Sequence, residues 1–208
     1  MRLLHRGLDG LAGRFPGGTT GNRNLTAFLG ALLLAGILAE LATLVLGLQR
    51  TLPAHILLGV ALIPIVALKL GSTGWRMVRY YTNDPRYRQE GPPRPFLRGI
   101  APLVAGATIA LFGSGVGLIV SGPHTHLFRA AHSASFALFL VVVGVHAVAH
   151  LPKLRRFALA DWMHGRAQGH ALRRAVVAFA IVAGGAFAIA ALQTLAPWAA
   201  VMHRHFGG

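Results

Sequence analysis

The sequence contains no cysteine and very little acid, and both shortages restrict what the protein can be. Without cysteine, the chain forms no disulfides, thiolate zinc sites or iron–sulfur clusters, and it cannot attach a c-type haem covalently. Only 12% of the 208 residues are charged and 54% are hydrophobic, whereas a soluble domain is about 25% charged. With a mean hydropathy of +0.58, this composition excludes an ordinary soluble enzyme.

The shortage of acid leaves the chain strongly basic. Five Asp and Glu residues stand against 20 Lys and Arg, which gives a formal net charge of +15. Such a charge can indicate a nucleic-acid partner. Here the basic residues lie in short clusters between long apolar runs, which is typical of membrane proteins. We therefore expect contact with anionic lipid headgroups and no nucleic acid.

Long apolar runs are what the sequence has in abundance. Each run contains about 20 or more residues, enough to cross a hydrocarbon core of about 30 Å as a helix. The runs are continuous and do not alternate, which favours helices over a membrane β-barrel. The fold class predicted is an all-α integral membrane bundle of five transmembrane helices. They are expected at 25–48, 54–75, 99–121, 127–151 and 174–196.

The polar N-terminal stretch predicts a simple division of the chain. Residues 1–24 are basic and rich in Gly and Thr, and the first apolar run starts too late for a secretory signal. We expect 1–24 to be a cytoplasmic basic segment and 25–208 to be a single five-helix transmembrane domain. No internal repeat or low-complexity linker divides the second part.

The distribution of basic residues predicts the orientation in the membrane. Segments 1–24, 76–98 and 153–174 contain sixteen Lys and Arg, the opposite side contains three, and one lies inside a helix. The positive-inside rule then places the N-terminus in the cytoplasm and the C-terminus outside. The loops assigned to the outside, 49–53 and 121–126, are short.

Ionisable residues inside a membrane are costly and are candidates for function. The second helix contains Lys69 and begins near His55, while the fourth contains His132, His146 and His150. His146 and His150 follow His132 by 14 and 18 residues, which places all three within about 40° on one helix face. His132 and His146 would lie about 21 Å apart along the axis, the separation of two porphyrins near opposite membrane surfaces.

The second helix carries residues at matching depths. His55 precedes the basic boundary residue Arg76 by 21 residues, and His132 precedes Lys153 by the same number. Because both helices run from outside to inside, His55 and His132 are predicted to lie level near the outer surface. Imidazole is a good axial ligand for haem iron. We predict that this pair binds one haem b.

At the inner level, the second helix offers a lysine instead of a histidine as the candidate ligand. Lys69 follows His55 by 14 residues, so it lies level with His146. A buried ammonium is expensive, and a neutral amine can bind iron, so a second haem held by Lys69 and His146 is one interpretation. The alternatives are that Lys69 bonds carbonyls, haem propionates or a quinone, or that His150 acts with another partner. Gly59, one turn below His55, allows close approach of a flat macrocycle.

Two segments carry a resemblance to a known group of proteins. HILLGVALIPIVALKLGSTGWRMVRYY (55–81) and HSASFALFLVVVGVHAVAHL (132–151) resemble the His-containing helices of membrane b-type cytochromes, including the cytochrome b561-like and ferric-reductase-like families. Residues 50–152 are also similar to the membrane modules of bacterial molybdopterin oxidoreductases. Diheme members carry two His on each of two helices, and this chain departs from that pattern at Lys69.

The resemblance implies electron transfer between a quinone pool and a partner redox protein, which is extracytoplasmic for the oxidoreductase modules. It also implies a bacterial cytoplasmic (inner) membrane. Whether the chain is an electron-transfer protein or a membrane subunit of an oxidoreductase stays open, since no nucleotide-binding or hydrolytic motif is present. Two other interpretations stay open: a His-lined metal or proton transporter, and a haem-free membrane anchor.

Overall fold

The computed structural model describes residues 18–91, 95–164 and 169–198, and all their side chains except those of 97 and 152–164. Within these residues the chain is helical, without a strand. A single 3₁₀ turn, Leu192–Thr194, follows the last α-helix. The α-helices are α1 (Gly18–Val45), α2 (Leu48–Tyr81), α3 (Pro85–Gln89), α4 (Pro95–Ser121), α5 (His126–His164) and α6 (His170–Ala191).

Five of the helices are long and apolar enough to cross a membrane, as predicted from the apolar runs. An α-helix satisfies every backbone N–H and C=O internally, which a chain in hydrocarbon requires. Large apolar side chains such as Val148 and Phe179 are exposed on the outside of the bundle, where lipid would cover them. The all-α class and the five helices able to span a membrane are thereby confirmed, whereas the orientation in the membrane stays a prediction.

Two helix starts differ from the predicted boundaries. α1 begins at Gly18, so the polar residues 18–24 open the first helix instead of ending a tail; residues 1–17 lie outside the described part. Polar contacts explain this, because Asn22 is fully buried and its Oδ1 accepts a hydrogen bond from Thr26 Oγ1 at 3.3 Å. α2 begins at Leu48, which makes 49–53 part of that helix instead of an outer loop.

The helices pack in a defined order. The most extensive contacts join α4 to α5, α1 to α2 and α2 to α6, followed by α1 to α5. The buried core lies between α1, α2 and α6. It consists of Leu25, Leu29, Leu62, Ile65, Val177 and Ala180. α2 and α5, which carry the predicted haem ligands, are not among the closely packed pairs.

Small residues allow the closest of these approaches. A Cβ added to Gly184 of α6 would collide with the backbone carbonyl of Ala61 in α2. On α4, a Cβ at Gly117 would collide with the ring of Phe128. Glycine at such positions is how membrane helices bring their backbones together.

A buried ion pair connects α2 to α3. Arg79, 6% exposed, donates from Nε and Nη2 to Asp84 Oδ2 at 2.9 and 2.5 Å. The other carboxylate oxygen of Asp84 accepts from Arg86 N at 2.9 Å and so caps α3. One carboxylate therefore fixes the turn between the two helices, which includes Asn83 in the left-handed region with φ 65°.

Candidate functional site

The structure brings His55 and His132 together near one end of the bundle. Their ring centroids are 6.4 Å apart and their planes are nearly perpendicular, at 85°. His55 is the eighth residue of α2, and His132 is the seventh residue of α5. The sequence separations that placed them at equal depth thus correspond to two rings that meet edge to face between helices.

A cavity of about 510 Å³ surrounds the two rings. Its wall comes from α1, α2, α4 and α5 and is largely apolar, which is typical of small-molecule and cofactor sites. It reaches Ile63 and Phe139, about two turns deeper than the histidines. Its polar or charged lining residues are Glu40, His55, Arg129, His132, Ser133 and Trp198.

Polar groups on α1 engage one nitrogen of His55. Its Nδ1 lies 2.6 Å from Glu40 Oε2 and 3.0 Å from Thr43 Oγ1. Thr43 in turn donates to the Glu40 carbonyl at 2.6 Å. A carboxylate beside Nδ1 favours the proton on that nitrogen.

His132 is held through the same nitrogen by α4. Its Nδ1 lies 3.2 Å from the carbonyl oxygen of Leu111 and 3.3 Å from Ser114 Oγ. Ser114 Oγ is also 3.3 Å from Ser135 Oγ, and Ser135 donates to the His132 carbonyl at 3.1 Å. Since a carbonyl oxygen only accepts, a hydrogen bond to Leu111 requires that Nδ1 carry the proton.

Protonation at Nδ1 leaves Nε2 of each neutral ring with a lone pair. Within the described residues, Nε2 of neither His55 nor His132 has a hydrogen-bond partner. A metal–imidazole bond is about 2 Å, and the ring centre lies about 1 Å beyond the bonded nitrogen. Two imidazoles bound to one metal have centroids about 6 Å apart; the observed separation is 6.4 Å, with the rings edge to face.

Glycines border the rings on two helices. A Cβ at Gly115 of α4 would lie 3.3 Å from His132 Cε1, tighter than most side-chain contacts. Gly59, predicted to allow close approach, lines the cavity, and a Cβ there would lie 3.4 Å from Glu40 Oε1. The role of Gly59 can be predicted from its spacing from His55. The role of Gly115 cannot, because it depends on which face of α4 meets α5.

The inner level of the predicted site is arranged differently. His146 and His150 stack on each other, with ring centroids 4.2 Å apart and planes at 22°. His150 Nδ1 is 3.0 Å from the His146 carbonyl, and His146 Nδ1 is buried without a hydrogen bond to any described residue. Lys69 shares no hydrogen bond or ion pair with His146 in the described part of the chain.

Lys69 instead contacts α1. Its Nζ donates to the carbonyl oxygen of Thr26 at 2.5 Å, and Thr26 Oγ1 lies 3.1 Å from Ser72 Oγ. Ser72 donates to the Lys69 carbonyl at 3.0 Å. This arrangement matches the alternative in which Lys69 bonds carbonyls, and it joins α1 and α2 through polar groups in an apolar core.

Sequence reasoning identified the two histidines but not the groups that hold them. Glu40 is the single acid within the first apolar run, and nothing in the sequence indicates that His55 is its partner. Leu111 contributes a backbone carbonyl, for which no sequence signal exists. Ser114 and Ser135 are common residues in packed membrane helices and gain meaning only from their contacts with His132.

Comparisons of the chain with protein-family profiles, with curated proteins and with solved structures found no match.

Proposed function

We propose that this protein is a membrane-embedded b-type cytochrome that binds one haem b between His55 and His132. The observation that carries the proposal is the facing pair itself. Both rings are engaged at Nδ1, both leave Nε2 available, and their centroids are 6.4 Å apart across an apolar cavity. The haem when bound supplies one-electron chemistry at its iron, between the ferric and ferrous states.

The chain's own residues supply ligation, orientation and exclusion of water. His55 and His132 would hold the haem iron through Nε2, since imidazole is a good ligand for it. Glu40 and the Leu111 carbonyl orient the rings through Nδ1 and raise their basicity as ligands. The apolar wall excludes water, which together with burial tunes the reduction potential.

Electron transfer through such a site would connect two reactants at the membrane. The proposed donor or acceptor pool is quinone, which dissolves in lipid, and the second reactant is a redox protein. With the basic segments in the cytoplasm, the His55–His132 level lies near the outer surface. The proposed partner is therefore extracytoplasmic, and the proposed location is the bacterial cytoplasmic membrane.

The inner level supports one haem better than two. The Lys69 ammonium has a carbonyl acceptor on Thr26 at 2.5 Å, so it has a role without iron. His146 and His150 stack on one another, with ring centroids 4.2 Å apart. The proposal is accordingly a single haem at the outer level, with a second at His146 and Lys69 as the alternative.

The optical spectrum of the purified protein tests this proposal most directly. We expect a Soret band and a low-spin spectrum, with about one haem per chain by pyridine haemochrome assay. His55→Ala and His132→Ala should each lose the low-spin spectrum and most of the haem, since each removes an axial ligand. His124→Ala is the matched control, because His124 is exposed and does not line the cavity.

The same measurement separates the other two functions. A His-lined transporter or a haem-free anchor would purify without a Soret band after expression with added haem precursor. Normal haem content in both His55→Ala and His132→Ala would also reject the proposed ligands.

A further inference from the structure

The charged residues that line the cavity around the two histidines lie at different depths. Glu40 lies towards the deep end, since its Oε1 is the atom nearest to a Cβ at Gly59, one turn below His55. Arg129 lines the same cavity on α5, three residues before His132 and therefore nearer the end formed by the turns at 46–47 and 122–125. We call this end the turn end. A cation thus lies at the turn end and a carboxylate deeper in.

Most N–H donors of the Arg129 side chain have no acceptor among the described residues. Its Nη2 donates to the carbonyl of Pro123 at 2.5 Å, which holds the guanidinium against the α4–α5 turn. A guanidinium carries five N–H donors, and in the described part of the chain this is its only hydrogen bond. Its side chain is exposed, so it borders the cavity without being sealed inside it.

Trp198 adds a second donor at the turn end. It follows the 3₁₀ turn after α6 and lines the cavity. Its indole Nε1 is buried and has no hydrogen-bond partner among the residues that the structure describes. A buried N–H without a partner is costly, and buried Trp usually finds an acceptor. An indole N–H can only donate, so its missing partner is an acceptor.

From these observations we propose that the turn end of the cavity, through Arg129 and Trp198, binds the carboxylates of the cofactor. This inference rests on the proposed haem site and adds the orientation of the haem within it. The propionates of haem b are its only anionic groups. Arg129 would attract them, Trp198 Nε1 would donate to them, and Glu40 would repel them from the deep end. The propionate edge therefore faces the turn end.

The experiment compares haem with haem dimethyl ester, in which both carboxylates are neutral. The apoprotein in detergent is titrated with each ligand, and affinity is read from the Soret band. The quantity of interest is the affinity ratio of haem to its ester. Comparing this ratio between variants isolates the carboxylate contact, in the manner of a double-mutant cycle. Retention of the low-spin spectrum shows that the histidines still bind iron.

We expect wild-type protein to prefer haem over the ester by about 10- to 100-fold, because charge-assisted hydrogen bonds are among the stronger polar contacts. Arg129→Gln should reduce this ratio about tenfold. Trp198→Phe keeps a ring in place and should reduce it by a smaller factor. Arg50→Gln is the matched control, since Arg50 is exposed near the same end but does not line the cavity.

The possible results separate failure of this inference from failure of the haem site. An unchanged ratio in both Arg129→Gln and Trp198→Phe, with low-spin spectra retained, would overturn this inference and leave the haem site standing. Failure of both ligands to give a low-spin complex with wild type would overturn the haem site and the inference together. If Arg129→Gln does not fold, as judged by gel filtration and circular dichroism, the ratio measured for Trp198→Phe alone decides.

Discussion

Glu40 is the only carboxylate within the membrane-spanning helices that the structure describes, and it lies against the Nδ1 of His55. Its counterpart on the other ring is a neutral carbonyl, that of Leu111. The two proposed ligands therefore differ in electron donation, because an anionic partner makes an imidazole the stronger donor.

We expect Glu40→Gln to weaken haem binding about 10- to 100-fold, the usual cost of losing an outer-shell partner. The neutral amide makes His55 a weaker donor, which stabilises ferric iron less, so the reduction potential should rise. Spectroelectrochemical titration and haem affinity measure both effects. Glu90→Gln is the control, because it makes the same chemical change at an exposed residue that does not line the cavity. Equal potentials in wild type and Glu40→Gln would contradict the role given to Glu40.

Lys69 shows where residue spacing stops being informative. Equal depth on parallel helices correctly placed the short, stiff ring of His55 opposite His132. The same register argument placed Lys69 level with His146, but a lysine side chain is long and flexible, and its Nζ donates to an acceptor on another helix. That acceptor is the Thr26 carbonyl on α1. The sequence of α1 does not indicate that this carbonyl accepts a hydrogen bond from Lys69.

A change at Lys69 should accordingly leave the haem content intact. Lys69→Met keeps the length of the side chain and removes the ammonium, and we expect about one haem per chain before and after. Stability should fall modestly, because the Thr26 carbonyl loses a charged donor worth about 1.5–3 kcal/mol. Pyridine haemochrome assay gives the haem count. Two haems in wild type that fall to one in Lys69→Met would show that Lys69 ligates a second iron.

At the scale of helices, sequence reasoning predicted the number and class of the elements but not their contacts. Apolar runs define membrane helices because hydrocarbon demands length and internal hydrogen bonding. Helix ends depend on polar contacts that composition does not show, such as the buried Asn22 that allows α1 to begin at Gly18. Which faces meet depends on small residues in three dimensions, since several transmembrane glycines here adjoin open space.

Adjacent glycines of α6 provide a test of that packing. Gly184→Ala would drive a Cβ into the Ala61 carbonyl, and backbone in a packed helix cannot move aside cheaply. We expect a loss of about 1–3 kcal/mol, as for other overpacked sites. Gly185→Ala is the matched control, because nothing lies within 4 Å of a Cβ at that position. Thermal unfolding in detergent measures both; equal melting temperatures would contradict the close α2–α6 contact.

For the whole molecule, the distribution of basic residues and the position of the cavity together determine on which side of the membrane the site lies. The cavity lies near the turn end, whose segments carry few basic residues, while the other end carries the basic segments 76–98 and 153–174. If the positive-inside rule holds, the site lies near the outer face and can exchange electrons with an extracytoplasmic protein. The orientation therefore decides on which side a redox partner can approach.

Reporter fusions test this orientation. Alkaline phosphatase, which is active only outside the cytoplasm, should be active when fused after Gly208 and inactive when fused after Glu90. A fluorescent protein that folds only in the cytoplasm should give the opposite result at the same two positions. The reason is the excess of sixteen basic residues over three on the predicted cytoplasmic side. A reversed pattern would place Arg129 and the cavity at the cytoplasmic face, and the partner protein would then have to be cytoplasmic.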